Sequence, residues 1–248
     1  MKYVYGMIEK TITYTCRKCG SLDIVKNGTN QCGSPQYHCH SCGAYQTLQP
    51  KKASATRTKE LILKTYQERA SLRGLERIFC VTRQTVSRWI RTILRTLPRL
   101  LDTLHSAQAD DVLELDEVWS FVLKKGQKRW LWIALCRRTR QVVAFTIGHR
   151  SEKTCRRLWN KLPAAYKQCQ AYSDFWEAYQ KVWPAGQHQA VGKETGETAH
   201  VERWNNTLRQ RLARYVRKTL SFSKSDIYHW IVTAWFIIEY NLSLSLIT

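Results

Sequence analysis

Acidic residues are scarce in this chain of 248 residues: nineteen Asp and Glu stand against forty Lys and Arg, a formal net charge of +21. So lopsided a balance argues against a protein built for small neutral molecules and is typical of one bound to a polyanion, with nucleic acid the first expectation. A long apolar run is also lacking. The most apolar stretch, Ile227 to Leu242, contains His229, Glu239 and Asn241 and is too short and polar to span a bilayer. It reads as a core or dimer helix, and no membrane partner is expected. The N-terminal MKYVYGMIEK has no apolar signal run, which predicts a reducing, cytoplasmic, nucleoid-associated location. No repeat of fixed period and no long low-complexity tract is present. With 44% apolar residues the chain is globular, long enough for one sizeable core plus one or two small modules.

Nine cysteines in a reducing compartment point to metal rather than disulfides. Cys16-Arg-Lys-Cys19-Gly and Cys39-His-Ser-Cys42-Gly are two CxxC knuckles with nineteen residues between them. That spacing lets four thiolates converge on one tetrahedral Zn2+, while each knuckle Gly relieves the turn beneath the metal. Cys32, His38 and His40 are substitute ligands. Four thiolates leave no open coordination position, so the predicted zinc is structural and supplies much of the folding free energy of its small module.

Pro50 to Lys59, PKKASATRTK, reads as a basic linker. Three helices are expected next. Leu61 to Arg69 forms the first, and Ser71 caps a short second with Leu72, Leu75, Ile78 and Phe79 inward. After a Cys80-Val81 turn, Thr82 caps a third, with Val86, Ile90, Ile93 and Leu97 as its apolar stripe and Pro98 at its end. The other face of that helix carries Arg83, Gln84, Ser87, Arg88 and Arg91. This is a helix-turn-helix pattern, in which Arg suits guanine and Gln suits adenine in the major groove. A three-helix packing module with a solvated basic face is the competing reading.

From Val112 the texture changes to strands: VLELDEVWSFVL, RWLWIALC and QVVAFTIG, a predicted antiparallel meander. A helix from Glu152 to Lys161, a short run Gln170 to Tyr172, a helix Phe175 to Val182 and a loop Gly186 to Gly196 follow. His200 to Lys218 then reads as one helix. Val201, Trp204, Leu208, Leu212 and Tyr215 form its buried stripe, and Arg203, Arg211, Arg214, Arg217 and Lys218 its basic side. Glu202 lies on a polar seam with Asn205, Asn206 and Arg209, and the row from Arg209 to Lys218 is expected to hold phosphates. The whole is an α/β layout with helices covering a sheet.

Three acids stand out in this basic chain. Asp116 interrupts an apolar strand, Asp174 ends another, and Glu202 starts the seam helix. Three carboxylates from three elements could hold two divalent ions for an in-line phosphoryl displacement, with magnesium favoured by an oxygen-only donor set and manganese a substitute. Glu114 and Glu117 flank Asp116, and period-two alternation places Glu117 opposite the other two. Neither flanking acid is expected to be essential.

LDEVWSFV at Leu115 to Val122, AYSD at Ala171 to Asp174, and ERWNNTLRQRLARYVRKTLSFSKS at Glu202 to Ser225 resemble the transposases of the IS1 insertion-sequence family. The CxxC pair and the helix-turn-helix ahead of them are similar to that family's N-terminal region. The resemblance implies a multidomain chain: a zinc ribbon over 1–49, a helix-turn-helix module over 50–99 and an RNase H-like α/β catalytic domain over 110–248. It implies a DDE triad of Asp116, Asp174 and Glu202, cleavage at terminal inverted repeats and transfer of the freed 3′ hydroxyls to target DNA. Double-stranded DNA, both element ends and target, is then the partner, with a dimer or higher homo-oligomer on it. Two alternatives remain beside this reading: an inactive repressor of the element, and an RNase H-like nuclease or resolvase.

Overall fold

The computed structural model describes residues 13–30, 33–48 and 52–244, with side chains from Arg57 onward in the last span. The chain divides into two compact units, Met1–Leu61 and Ile62–Thr248. In the first, β1 (Ile24–Thr29), β2 (Pro35–Cys39) and β3 (Tyr45–Gln46) form an antiparallel sheet in that order. Among its described residues only Cys16, Cys39 and Leu48 are buried apolar side chains. So small an apolar set cannot hold a fold by itself, which leaves a cross-link or metal to do so.

The sequence LysAlaSerAlaThrArgThrLys, expected as a linker, is helical from its first residue, because α1 runs over Lys52–Tyr66. The segment contains no Gly and no Pro, and its basic charge does not oppose a helix. Ser71 caps α2 (Leu72–Phe79) by accepting from the Gly74 N–H, and Thr82 caps α3 (Arg83–Thr92) by accepting from the Thr85 N–H. Cys80 takes φ 52° in the turn between them. Leu75, Val86 and Ile90 are buried as the periodicity requires, whereas Ile78, expected inward, is 70% exposed. Helix α3 stops at Thr92, well before Pro98, and tightens into a 3-10 turn over Ile93–Arg95. Ile62, Tyr66, Leu75, Val86 and Ile90 share one core with Val118, Leu131, Trp204 and Trp235.

The meander is β4 (Val112–Phe121), β5 (Lys128–Cys136) and β6 (Val142–Gly148). After α4 (Glu152–Lys161), β7 (Gln170–Ser173) returns parallel to β4, and after α5 (Glu177–Val182) an unforeseen short strand, β8 (His188–Ala190), pairs parallel to β7. The sheet order is β6-β5-β4-β7-β8. Strand β4 is therefore central, and its alternating residues face two cores. Leu113 and Leu115 join α4 and α5 residues on one side, and Val118 joins α6 (Ala199–Arg211) and α7 (Asp226–Leu244) residues on the other. Helix α7 buries Ile231, Val232, Trp235, Phe236 and Ile237 in this chain's own core. Among the described residues no helix is long and apolar enough to cross a membrane.

The helix expected over His200 to Lys218 ends at Arg211. Leu212 is extended, and a 3-10 turn follows over Ala213–Tyr215. The apolar stripe is still buried through Leu212 and Tyr215, but the break turns Arg214 inward, where it is 7% exposed. Its guanidinium donates to Ser223 Oγ at 2.5 Å and to the Tyr66 hydroxyl. Ser223 Oγ lies 2.8 Å from His229 Nδ1, and Tyr215 OH lies 3.3 Å from His229 Nε2. Burial pushes the His229 imidazole down to about 3, so the folded protein holds it neutral. An unfolded histidine titrates near 6.5 and binds the proton better, so this stability is complete above about pH 6.5 and declines toward pH 3 by at most about 1.4 kcal/mol per unit. His229→Gln should flatten the plot of unfolding midpoint against pH across that window. Parallel acid slopes for the two proteins would contradict it.

Candidate functional site

The cysteine knuckles close on each other. Cys16 and Cys42 sulfurs are 3.7 Å apart and those of Cys19 and Cys39 are 3.6 Å apart. All four sulfurs lie within 4.8 Å of one another. Tetrahedral zinc with bonds of about 2.3 Å needs sulfurs roughly 3.8 Å apart, so the set fits that ion. Gly20 and Gly43 have φ of 75° and 69° and donate their N–H groups back to the Cys16 and Cys39 carbonyls, the tight turn that a side chain would strain. His40 instead pairs with Asp23, and His38 stacks on Tyr45. Cys32 lies outside the described residues. Native mass spectrometry should find one zinc per chain, lost in the Cys39→Ser, Cys42→Ser double variant; equal zinc in both proteins would refute these ligands.

In the larger unit the strand alternation sorts the acids of β4. Glu114 and Asp116 face α6, and Glu117 faces α4 and α5. Asp116 Oδ2 accepts from Asn205 Nδ2 on α6 at 2.5 Å, and Oδ1 accepts from the Glu117 N–H at 2.7 Å. Burial, then the charges of Glu117, Asp174 and Glu202, push Asp116 up to about 7. Asp174 and Glu202, the other two acids picked out by sequence, thus both lie within electrostatic reach of Asp116. A bound cation would relieve that repulsion, and Asn205 Oδ1, buried without a partner, offers a further polar atom at the same place. Among the described residues only the cysteines bring three or more ligand atoms within 4.8 Å.

Glu114 has a task that sequence reasoning missed. It is fully buried. Its carboxylate accepts from the backbone N–H groups of His200 and Val201, both at 2.9 Å, in the first turn of α6. His200 Nδ1 at 2.7 Å and Arg137 Nε at 2.8 Å complete its partners. Arg137 also grips the Glu197 carboxylate at 2.7 Å. A carboxylate at a helix N-terminus satisfies open N–H groups and the helix dipole, so Glu114 fixes where α6 starts and hence where Glu202 sits.

On the opposite face Glu117 accepts from Tyr179 OH at 2.8 Å and from Arg150 Nε at 2.6 Å. Desolvation, first, and the Asp174 charge hold its carboxyl above the ordinary range. Arg150 reaches to 3.9 Å from Asp174 and lies 4.1 Å over the Trp176 ring. Asp174 itself accepts the Trp176 N–H. A cleft of about 550 Å³ opens beside it, lined by Arg150, Asp174, Phe175 and Lys193 among others. Arg150 carried no sequence signal, since only the fold brings it to the acids.

Of the residues expected to touch DNA, Gln84, Arg88, Arg91, Arg203, Arg217 and Lys218 are exposed. Arg83 is exposed but pairs with Glu76 at 2.7 Å, and Ser87 is half-buried. Arg209 is half-buried, and Arg211 pairs with Glu68 at 2.9 Å. Arg214 is corrected: a guanidinium buried against Tyr66 and Ser223 is unavailable to a surface phosphate.

The profile of the IS1 transposase family matches residues 111–241, more than half of the chain and all three acids. The chain is 40% identical over 126 residues to the insertion element iso-IS1n protein InsB of Shigella dysenteriae, covering 51% of this chain and 93% of that protein. It is 40% identical over 116 residues to the IS1 protein InsB of Shigella flexneri (47% and 86% covered), and 38% identical over 116 residues to the IS1 4 protein InsB of Escherichia coli K12 (47% and 67% covered). With a sheet domain that matches this family along its length, the chain belongs to the IS1 transposase family.

Proposed function

We propose that the protein is a metal-dependent DNA transposase that binds the terminal inverted repeats of an insertion sequence, cuts there and joins the freed 3′ ends to target DNA. The observation that carries this reading is that Asp116 from β4 feels the charges of both Asp174, at the end of β7, and Glu202, from α6. The sheet order β6-β5-β4-β7-β8, with β4 and β7 parallel, supports an RNase H-like domain over 110–248. Residues 50–99 serve as the helix-turn-helix and 1–49 as the zinc ribbon held by Cys16, Cys19, Cys39 and Cys42. Magnesium held by Asp116, Asp174 and Glu202, with manganese as substitute, would supply activation of the attacking hydroxyl and stabilisation of the leaving oxygen. The chain's own residues bind and orient. Asn205 fixes the Asp116 carboxylate, Glu114 fixes the start of α6, and Arg150 sets positive charge beside Asp174. Two ends must be cut and joined together, a task that suits a dimer or higher oligomer on DNA.

Base reading falls to Arg83, Gln84, Ser87, Arg88 and Arg91, and phosphate holding to Arg203, Arg209, Arg217 and Lys218. Gln84→Ala should change preference among end sequences, with about 1–3 kcal/mol lost at one base pair. Arg217→Gln should weaken every duplex alike and lower the salt slope by about 1. Gel-shift titrations on end and random duplexes test this; the same loss on both duplexes for both variants would remove the division of labour.

A further inference from the structure

A groove of about 440 Å³ is lined by Arg69, Asn206, Arg209, Gln210, Val216 and Arg217. Three guanidiniums and two amides meet there with no carboxylate among them. Nearby arginines are occupied, Arg211 by Glu68 and Arg214 by Tyr66 and Ser223. Those of the groove are not. Arg209 Nε is buried with no hydrogen-bond partner, and the exposed Arg69 and Arg217 guanidiniums make no hydrogen bond or ion pair among the described residues. Burial, and then the Arg217 charge, lower the pKa of Arg209. Like charges gathered around a cavity with open donors call for an anion bearing several acceptor oxygens.

The placement says which anion. Glu202, Asn206 and Arg209 are spaced i, i+4, i+7 on α6 and share one side of it. At 1.5 Å per residue Arg209 lies about 10 Å along the helix from Glu202, a short step along a nucleic-acid backbone. Arg69 comes from the other direction, beyond the end of α1. It adopts φ 66°, a conformation unusual for a side chain with Cβ, and its N–H donates to the Arg211 carbonyl at 2.8 Å where α6 ends. The helix dipole favours one cation at such an end but does not account for three around a groove.

We infer that this groove holds a backbone phosphodiester of the DNA strand being cut, next to the scissile position. Arg69 from the helical module and Arg209 and Arg217 from the catalytic helix and its extension grip it together. The inference rests on the DNA-cutting reading, and it makes the site a link between end binding and strand placement.

The test is a cycle between Arg69→Gln or Arg217→Gln in the full chain and end duplexes bearing one neutral methylphosphonate at successive positions near the cut. Affinity and cleavage rate are both measured, and Arg203→Gln, exposed on the same helix, is the comparison. One neutral linkage should cost the wild type roughly tenfold in affinity, as should either groove variant. At that position the two losses should not multiply, whereas Arg203→Gln and the same linkage should multiply. Multiplying losses at every position would overturn the inference. A wild type that binds but cuts no duplex would instead count against the cutting reading, and the affinity cycle would still judge the groove.

Discussion

Asp116→Asn, Asp174→Asn and Glu202→Gln will each lower end cleavage and strand transfer by on the order of 10³-fold or more, because each keeps the side chain's shape and removes a charge that, on the proposed function, would hold metal. Combining them will add little, since groups acting as one unit do not contribute independently. End binding will survive, because it depends mainly on residues 1–97. Glu117→Gln separates the two faces of β4. It disturbs the Tyr179 and Arg150 contacts but leaves Asp116 facing α6, so measurable activity should remain. A dead Glu117→Gln beside an active Asp116→Asn would move the first metal ligand by one residue.

Glu114→Gln has the second large effect, although its activity should stay measurable, as expected from sequence. The amide cannot accept from both α6 N–H groups, His200 and Arg137 as the carboxylate does, and it leaves Arg137 with Glu197 as its remaining carboxylate partner. Breaking a buried ion pair from one side costs about 3–5 kcal/mol, read here as a lower unfolding midpoint. A positioning role goes further. At temperatures where the variant is fully folded, cleavage should still fall, by roughly 10- to 100-fold, with end binding unchanged, because Glu202 is no longer held in register. Glu114→Asp, which keeps the charge, should recover part of the rate. A folded Glu114→Gln protein that cuts at the wild-type rate would reduce Glu114 to a purely structural group.

Much of this architecture is written in local pattern. Period-two alternation along LELDEV assigns Asp116 to one face and Glu117 to the other, and the CxxCG spacing marks the four sulfurs that meet. Ser71 and Thr82 announce their helices because capping is decided within three residues. The rest depends on contacts distant in sequence. Glu114 meets the start of α6 eighty-six residues later, and Arg150 meets Asp174 only once β7 lies beside β4. Helical periodicity carried the seam helix smoothly past Arg211, since Leu212 and Tyr215 stay buried. What ends it is tertiary: the Arg69 N–H takes the Arg211 carbonyl, and the Ser120 hydroxyl donates to the Arg214 carbonyl at 3.1 Å. Within the KTLSFSKS block Ser223 lies inside, bonded to Arg214 and His229, a burial that no local pattern marks. The lost helical turn therefore removes one arginine from the row expected to hold phosphates and gives it to the core.

The most direct measurement is strand transfer by the wild-type chain on a labelled duplex carrying the element's own end, mixed with unlabelled target DNA and magnesium. The account predicts a product in which the 3′ terminus of the end is covalently joined to target, formed with magnesium or manganese, absent with chelator and absent for Asp174→Asn. Tight end binding with no cut strand under any divalent metal would contradict it in favour of a repressor, and cut ends that never join target would leave a nuclease.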